Sequence, residues 1–202
     1  MPTTLLTLDQ FSRVLPEWYG ASTHNEFHDG WKELLGRLPE TANQLGYFDM
    51  RDLSDVADWG GNQHGVKQRM QLHNTPDEVK AATSQAIRHL DDPDRAMREV
   101  ARVKHWGVAY GSKTLTFMRP QDYAILDRWI RRALVHVIPE ITDGRVGSVA
   151  RGYVAYLDCC RALQLKVAAR PPVATAKGQW RIADIGQAIF EFARSRGVVA
   201  PP

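Results

Sequence analysis

The sequence predicts an all-α fold, and three observations carry that prediction. Apolar residues recur at helical spacing along most of the chain, and helix-start residues stand directly ahead of proline at two places. Only two short segments, YAIL and LQLKVAA, could pass for strands, too few for a sheet-based domain. With 202 residues, 44% apolar and 24% charged, the chain has a globular balance, which excludes disordered and fibrous classes.

Taken in order, residues 6–15 form a first helix stopped by Pro16, and 27–38 a second between Asn25 and Pro39. A third covers 50–59 and runs into Gly60-Gly61. In TPDEVKAATSQAIRHL, Thr75 is an N-cap, Pro76 holds the first helical position and Glu78 completes a capping box. Val79, Ala82, Ala86 and Leu90 keep its apolar face. DDPDRAMREVARVKHW repeats the signature with Asp92 as cap and Pro93 behind it. A glycine-containing turn follows, then a short helix over 112–117 and the connector RPQDYAIL. Asp127 opens another helix that ends before Pro139, and helices at 146–167 and 182–195, separated by ARPPVATAKGQW, close the chain. The expected organisation is one domain, 1–202, with a lobe at 63–138 and a helical scaffold lobe from 1–62 and 139–202.

Several classes drop out. The adjacent Cys159 and Cys160 have no spacing for zinc or a disulfide framework, and fit a reducing compartment. His24 and His28 in HNEFH lack the zincin order and a third ligand, so no metal and no cofactor are expected. No apolar run reaches the ~20 residues that span a bilayer, and MPTTLLTLDQF has no basic n-region. The expectation is a cytoplasmic, monomeric protein without membrane contact.

Charge is unevenly spread. Residues 1–62 carry 4 Lys/Arg against 10 Asp/Glu, whereas 95–135 carry nine basic residues against three acidic ones. A basic stretch is the footprint of a phosphate-backbone binder, and equally of a solvated helix face.

Within that stretch, GVAYGSKT looks like a P-loop but has three residues between its glycines, and Ser112 separates Gly111 from Lys113. A charged helix also precedes it where a P-loop needs a buried strand. A helix–hairpin–helix reading suits it better: a basic helix, the turn Gly107-Val108-Ala109-Tyr110-Gly111, and a second helix whose first N–H groups can face a DNA phosphate. The bland counterpart is an ordinary αα-turn.

The stretch YGSKTLTFMRPQDYAILDRWIRRAL resembles the active-site region of the helix–hairpin–helix DNA glycosylase superfamily, above all its oxoguanine-glycosylase-like branch. The resemblance covers about residues 63–138. It implies a two-lobed helical bundle with an interlobe cleft, acting on double-stranded DNA that contains a modified base. It further implies an Asp at the mouth of the base pocket, opening the helix after the hairpin; Asp127 stands there. The usual hairpin, Gly-hydrophobic-Gly-x-Lys, is altered. Aligned on Gly107-Val108, Ala109 replaces the second glycine and Gly111 takes the lysine slot. Aligned on Tyr110-Gly111-Ser112-Lys113, Lys113 takes the nucleophile slot and Ala109 replaces the first glycine.

The residues themselves support two roles for Asp127, because Asp is a preferred N-cap and a fixed carboxylate stabilises an oxocarbenium-like sugar. Lys113 is either a Schiff-base nucleophile, with an associated abasic-site lyase step, or a backbone contact. Gly107, Val108, Ala109, Gly111, Ser112, Lys104, Lys67, Arg69 and Arg128 are the expected DNA contacts. Trp59 and Trp106, each beside glycines, and Asn62 in the donor-rich run after Gly61 are expected around a flipped base. The function so implied is a DNA N-glycosylase. Its substrate is an oxidised purine in repair, or a hypermodified phage base such as glucosylated hydroxymethylcytosine in phage defence. The alternative is a non-catalytic hairpin module that binds DNA.

Overall fold

In a computed structural model the described residues are 8–22, 26–134, 138, 141, 146–167 and 179–195. Among them are ten α-helices, one short 3-10 turn and no strand, so the all-α class stands. The helices are α1 (Leu8–Ser22), α2 (Glu26–Leu45), α3 (Met50–Trp59), α4 (Val66–His73), α5 (Pro76–Arg88), α6 (Pro93–Val100), α7 (Val108–Met118), α8 (Arg128–Leu134), α9 (Val146–Lys166) and α10 (Ile182–Ser195). The expected helix end before Pro139, most of the linker ARPPVATAKGQW, and the side chains of His24 and His28 lie outside the described residues.

Local chemistry sets several of these boundaries. Thr75 accepts from the Glu78 amide while the Glu78 carboxylate accepts from Thr75 N–H, closing the capping box of α5. Asp92 caps α6 through the Arg95 amide. A second capping box, Asp49 with Asp52, starts α3.

Two ends depart from expectation. Pro16 lies inside α1 and Pro39 inside α2, and both helices run on. An internal proline costs a backbone hydrogen bond, and tertiary burial offsets it here. The last turns of α1 seat Tyr19, whose hydroxyl donates to buried Asp184 on α10 at 3.0 Å. The last turns of α2 bury Leu38 and Ala42. The strand candidates resolve likewise: LQLK lies in α9, and YAIL is extended chain with no strand partner among the described residues.

Helix α7 is the structural centre. Every residue from Tyr110 to Met118 is buried, which a short exposed hairpin helix would not allow. Gly111 is therefore no turn residue. A Cβ there would stand 3.1 Å from Val100 Cγ1 and 3.2 Å from Met97 Sδ, so glycine lets α7 lie close on α6. The chain reverses earlier, where His105 takes a left-handed φ of 66° and Gly107 precedes the first turn of α7. Around α7, α1 packs on α10 through Phe11 and Trp18 against Phe192, and Arg181 pairs with Asp184 at 2.8 Å. None of the helices is long and apolar enough to cross a membrane, among the described residues.

Candidate active site

The connector between α7 and α8 presents Asp127, and hydrogen bonds from several helices hold that connector. Ser112 Oγ accepts from Leu126 N–H at 2.9 Å, and Tyr153 donates to the Ala124 carbonyl at 2.9 Å. Tyr123 donates to the Leu90 carbonyl, while Ala183 N–H donates to the Pro120 carbonyl. Asp127 then starts α8: its Oδ1 accepts from the amides of Trp129 at 2.9 Å and Ile130 at 3.0 Å. Its Oδ2 accepts no hydrogen bond among the described residues.

Asp127 lines a pocket of about 170 Å³. Lys113 from α7 lines it too, with Trp59 and Gly60 from the end of α3, Gln63, Tyr110, Trp129 and Arg128, and Gln187 and Phe190 from α10. Lys113 is only 8% exposed and has no hydrogen bond or ion pair among the described residues. Its Nζ sits 4.4 Å from the Tyr110 ring centroid and 5.9 Å from that of Trp59. Burial pushes its proton affinity below that of free lysine, opposed by the Asp127 charge. Burial likewise raises the Asp127 carboxyl above the ordinary carboxylate range, opposed by the Ile130 amide, Lys113, the Trp129 amide and Arg128. The arrangement can supply an amine partly relieved of its proton and a fixed carboxylate to one bound group.

Trp59 lines the pocket, stacked on Trp31 with centroids 5.4 Å apart and set edge-on against Phe117 at 5.2 Å. Trp106 does not line it. That indole is buried and donates from Nε1 to Thr114 Oγ1 at 2.9 Å, so it is core between the α6–α7 turn and α7. Asn62 is a loop staple rather than a pocket wall: its amide donates to Gln68 and its Oδ1 accepts from Lys67 N–H. Neighbouring Gln63 lines the pocket instead.

Of the expected DNA contacts, Ser112 and Gly111 are buried and used in packing, which removes them from the surface. Gly107 is exposed at the start of α7, with Val108 and Ala109 half-buried behind it. Lys104 and Arg69 are exposed; Lys104 pairs with Glu78 at 3.1 Å. Lys67 pairs with Asp58 at 2.5 Å. Arg128 is exposed, and Arg128 and Arg132 lie 5.5 and 6.0 Å from the Trp129 ring centroid.

Sequence reasoning missed Gly60, Gln187 and Phe190. A Cβ on Gly60 would stand 2.9 Å from Lys113 Nζ, 3.0 Å from Tyr110 Cε1 and 3.2 Å from the Val56 carbonyl oxygen, so a larger residue here would push the amine and the ring aside. Gln187 is buried and without a protein hydrogen bond among the described residues, a polar group facing the pocket. Its only sequence signal is a glutamine among the apolar residues of the last described helix, far along the chain from Asp127.

An all-helical scaffold with a carboxylate and a buried lysine on one concave site is the setting of an enzyme-type pocket. A family model described as "Putative 8-oxoguanine DNA glycosylase OGG-like protein" matches residues 53–190, which span every residue lining the pocket. The chain belongs to this family, and with it comes a DNA glycosylase-type function, and hence DNA binding, in general terms. No curated protein and no solved structure shows a significant match.

Proposed function

We propose that the protein flips a modified base out of duplex DNA into the pocket and cleaves its N-glycosidic bond, leaving an abasic site. The observation that carries this reading is the placement of Lys113 and Asp127 on one pocket, each shifting the other's proton affinity. The neutral Lys113 amine attacks C1′ as the bond from C1′ to the base nitrogen breaks, and the departing base takes up a proton. Asp127 Oδ2 stabilises the oxocarbenium character that develops at the sugar. Loss of a proton from the attached nitrogen and opening of the sugar ring give a Schiff base, from which abasic-site lyase chemistry can proceed. If water attacks instead, Lys113 serves as a cation beside the leaving base.

In this reading 1–202 is one catalytic domain. The 63–138 lobe grips the backbone through the α6–α7 turn at Gly107 and through Arg69 and Arg128. Residues 1–62 and 139–202 form the scaffold, and the cleft lies between them. Trp59, Tyr110 and Phe190 offer faces for stacking, and the unpartnered Gln187 amide offers a donor and an acceptor to a base edge. The volume of about 170 Å³ is of the order needed to take one ring system, since a cavity of ~150 Å³ accepts a single benzene ring, and the family's description favours an oxidised purine as that base.

Incubation with a panel of oxidised and phage-derived hypermodified DNAs, followed by alkali, tests the reading. Strand breaks at the oxidised purine are expected. Tight DNA binding with no alkali-sensitive site on any substrate would leave a non-catalytic DNA-binding module.

A further inference from the structure

The segment between α3 and α4 is held in costly backbone geometry. Gly61, Asn62, His64 and Gly65 all take left-handed φ, at 83°, 41°, 56° and 65°. Two of these carry side chains, for which that region is disfavoured, so the surroundings must hold the loop in place. Part of that hold comes from α7, because Gln63 N–H donates to the Tyr110 hydroxyl at 3.1 Å. The other side of the same residue faces the pocket: its ring centroid is 4.4 Å from Lys113 Nζ, one turn further along α7. Gly60 completes the arrangement, since a Cβ there would press on both the Tyr110 ring edge and Nζ.

We propose that Tyr110 is a positioning residue that joins this strained loop to the Lys113 amine, its ring face holding the ammonium form and its hydroxyl pinning the loop. The inference rests on Lys113 being the reactive amine. No anion is paired with Nζ among the described residues, so the aromatic faces of Tyr110 and the more distant Trp59 are its nearest stabilisers. The charged or titratable side chains lining the pocket around it are Asp127, Arg128 and Tyr110 itself; α3, the loop and α10 contribute Trp59, Gly60, Gln63, Gly186, Gln187 and Phe190. A ring face against Nζ favours the protonated amine, and the pinned loop keeps that ring in place.

Two variants separate the two halves of the proposal on DNA-free, full-length protein. The Lys113 Cε resonance of isotopically labelled protein is titrated with pH, and amide hydrogen exchange is read at Gln63. Tyr110→Phe keeps the ring, so the Lys113 midpoint should stay in place while Gln63 exchange speeds up roughly fivefold for one lost hydrogen bond. Tyr110→Leu removes the ring, so the midpoint should fall by about one pH unit. In single-turnover excision the pH–rate profile of Tyr110→Leu should shift to lower pH along with the Lys113 midpoint, with DNA affinity unchanged. An unmoved or raised midpoint in Tyr110→Leu overturns the ring's role, and unchanged Gln63 exchange in Tyr110→Phe overturns the pin. Tyr110→Phe is nearly isosteric, so it remains informative where the leucine variant loses stability. Full adduct formation by Lys113→Ala would instead defeat the nucleophile reading, a result independent of both titrations.

Discussion

Lys113 and Asp127 face one pocket as opposite charges that feel each other across it without forming an ion pair. Their separation from one another has a local cause. Asp127 Oδ1 is committed to the Trp129 and Ile130 amides, and Lys113 Nζ lies against the Tyr110 ring at the end of α3. A direct salt bridge would satisfy both charges and leave little to give to a substrate. Held apart, each stays a partly desolvated group whose preferred partner is a charge developing between them.

Lys113 should report its environment through pH. Its proton affinity is lowered by burial, so borohydride trapping of an enzyme–DNA adduct should rise with pH through a midpoint below that of free lysine, and Lys113→Ala should abolish it. Stability follows the same shift. The unfolded lysine keeps its proton to higher pH than the folded one, so stability increases as pH rises from the folded midpoint toward the ordinary lysine value. Lys113→Met should therefore stabilise at neutral pH, with a gain that shrinks toward alkaline pH in thermal unfolding.

Gln187→Leu should leave folding intact and relax the choice of base. The amide has no protein partner to orphan among the described residues, and leucine is close to it in size. Discrimination between an oxidised purine and its parent base, measured as a ratio of single-turnover rates, should fall by roughly tenfold or more. An unchanged ratio would remove Gln187 from base recognition.

Part of this was legible in the sequence because it is local. Thr75-Pro76 with Glu78, Asp92-Pro93 and Asp127 all carry their caps within three residues, and the structure places each at a helix start. Pro16 and Pro39 misled because the burial that carries α1 and α2 past them is made by partners far along the chain, such as Asp184 for Tyr19. Gly111 misled for a related reason: a glycine required by helix–helix contact looks the same in sequence as one required by a turn. The turn itself uses His105, a residue type enriched in the left-handed region but a far weaker signal for it than glycine. The pocket wall from α10 was invisible, since Gln187 approaches Asp127 only after the whole chain has folded.

DNA binding should depend on salt more weakly than nine basic residues in 95–135 suggest. Lys113 is buried, and Arg98, Arg102, Lys104 and Arg119 have carboxylate partners. If about three or four phosphates are met, by groups such as Arg69, Arg95, Arg128 and Arg132, log K should fall against log salt with a slope near −3. A slope of zero in a fluorescence anisotropy titration would be incompatible with backbone binding.

Asp127→Asn should remove most base excision while sparing fold and DNA affinity. The asparagine Oδ1 can accept from the same Trp129 and Ile130 amides, and Asn is as good an N-cap as Asp, so α8 should lose well under ~1 kcal/mol. The substitution also relieves a carboxylate that burial disfavours, which offsets part of any loss. The negative charge facing the sugar is gone, and a few kcal/mol of transition-state stabilisation is roughly a hundredfold to thousandfold in rate. A second change should accompany the first. Asp127 holds the Lys113 proton affinity up against burial, so in the variant the Lys113 midpoint should move lower still. The amine would then be more often neutral and yet the enzyme slower, a combination that no loss of nucleophile can produce. Near-parental excision by Asp127→Asn, with an unmoved Lys113 midpoint, would reduce Asp127 to a helix cap and take the chemistry out of this pocket.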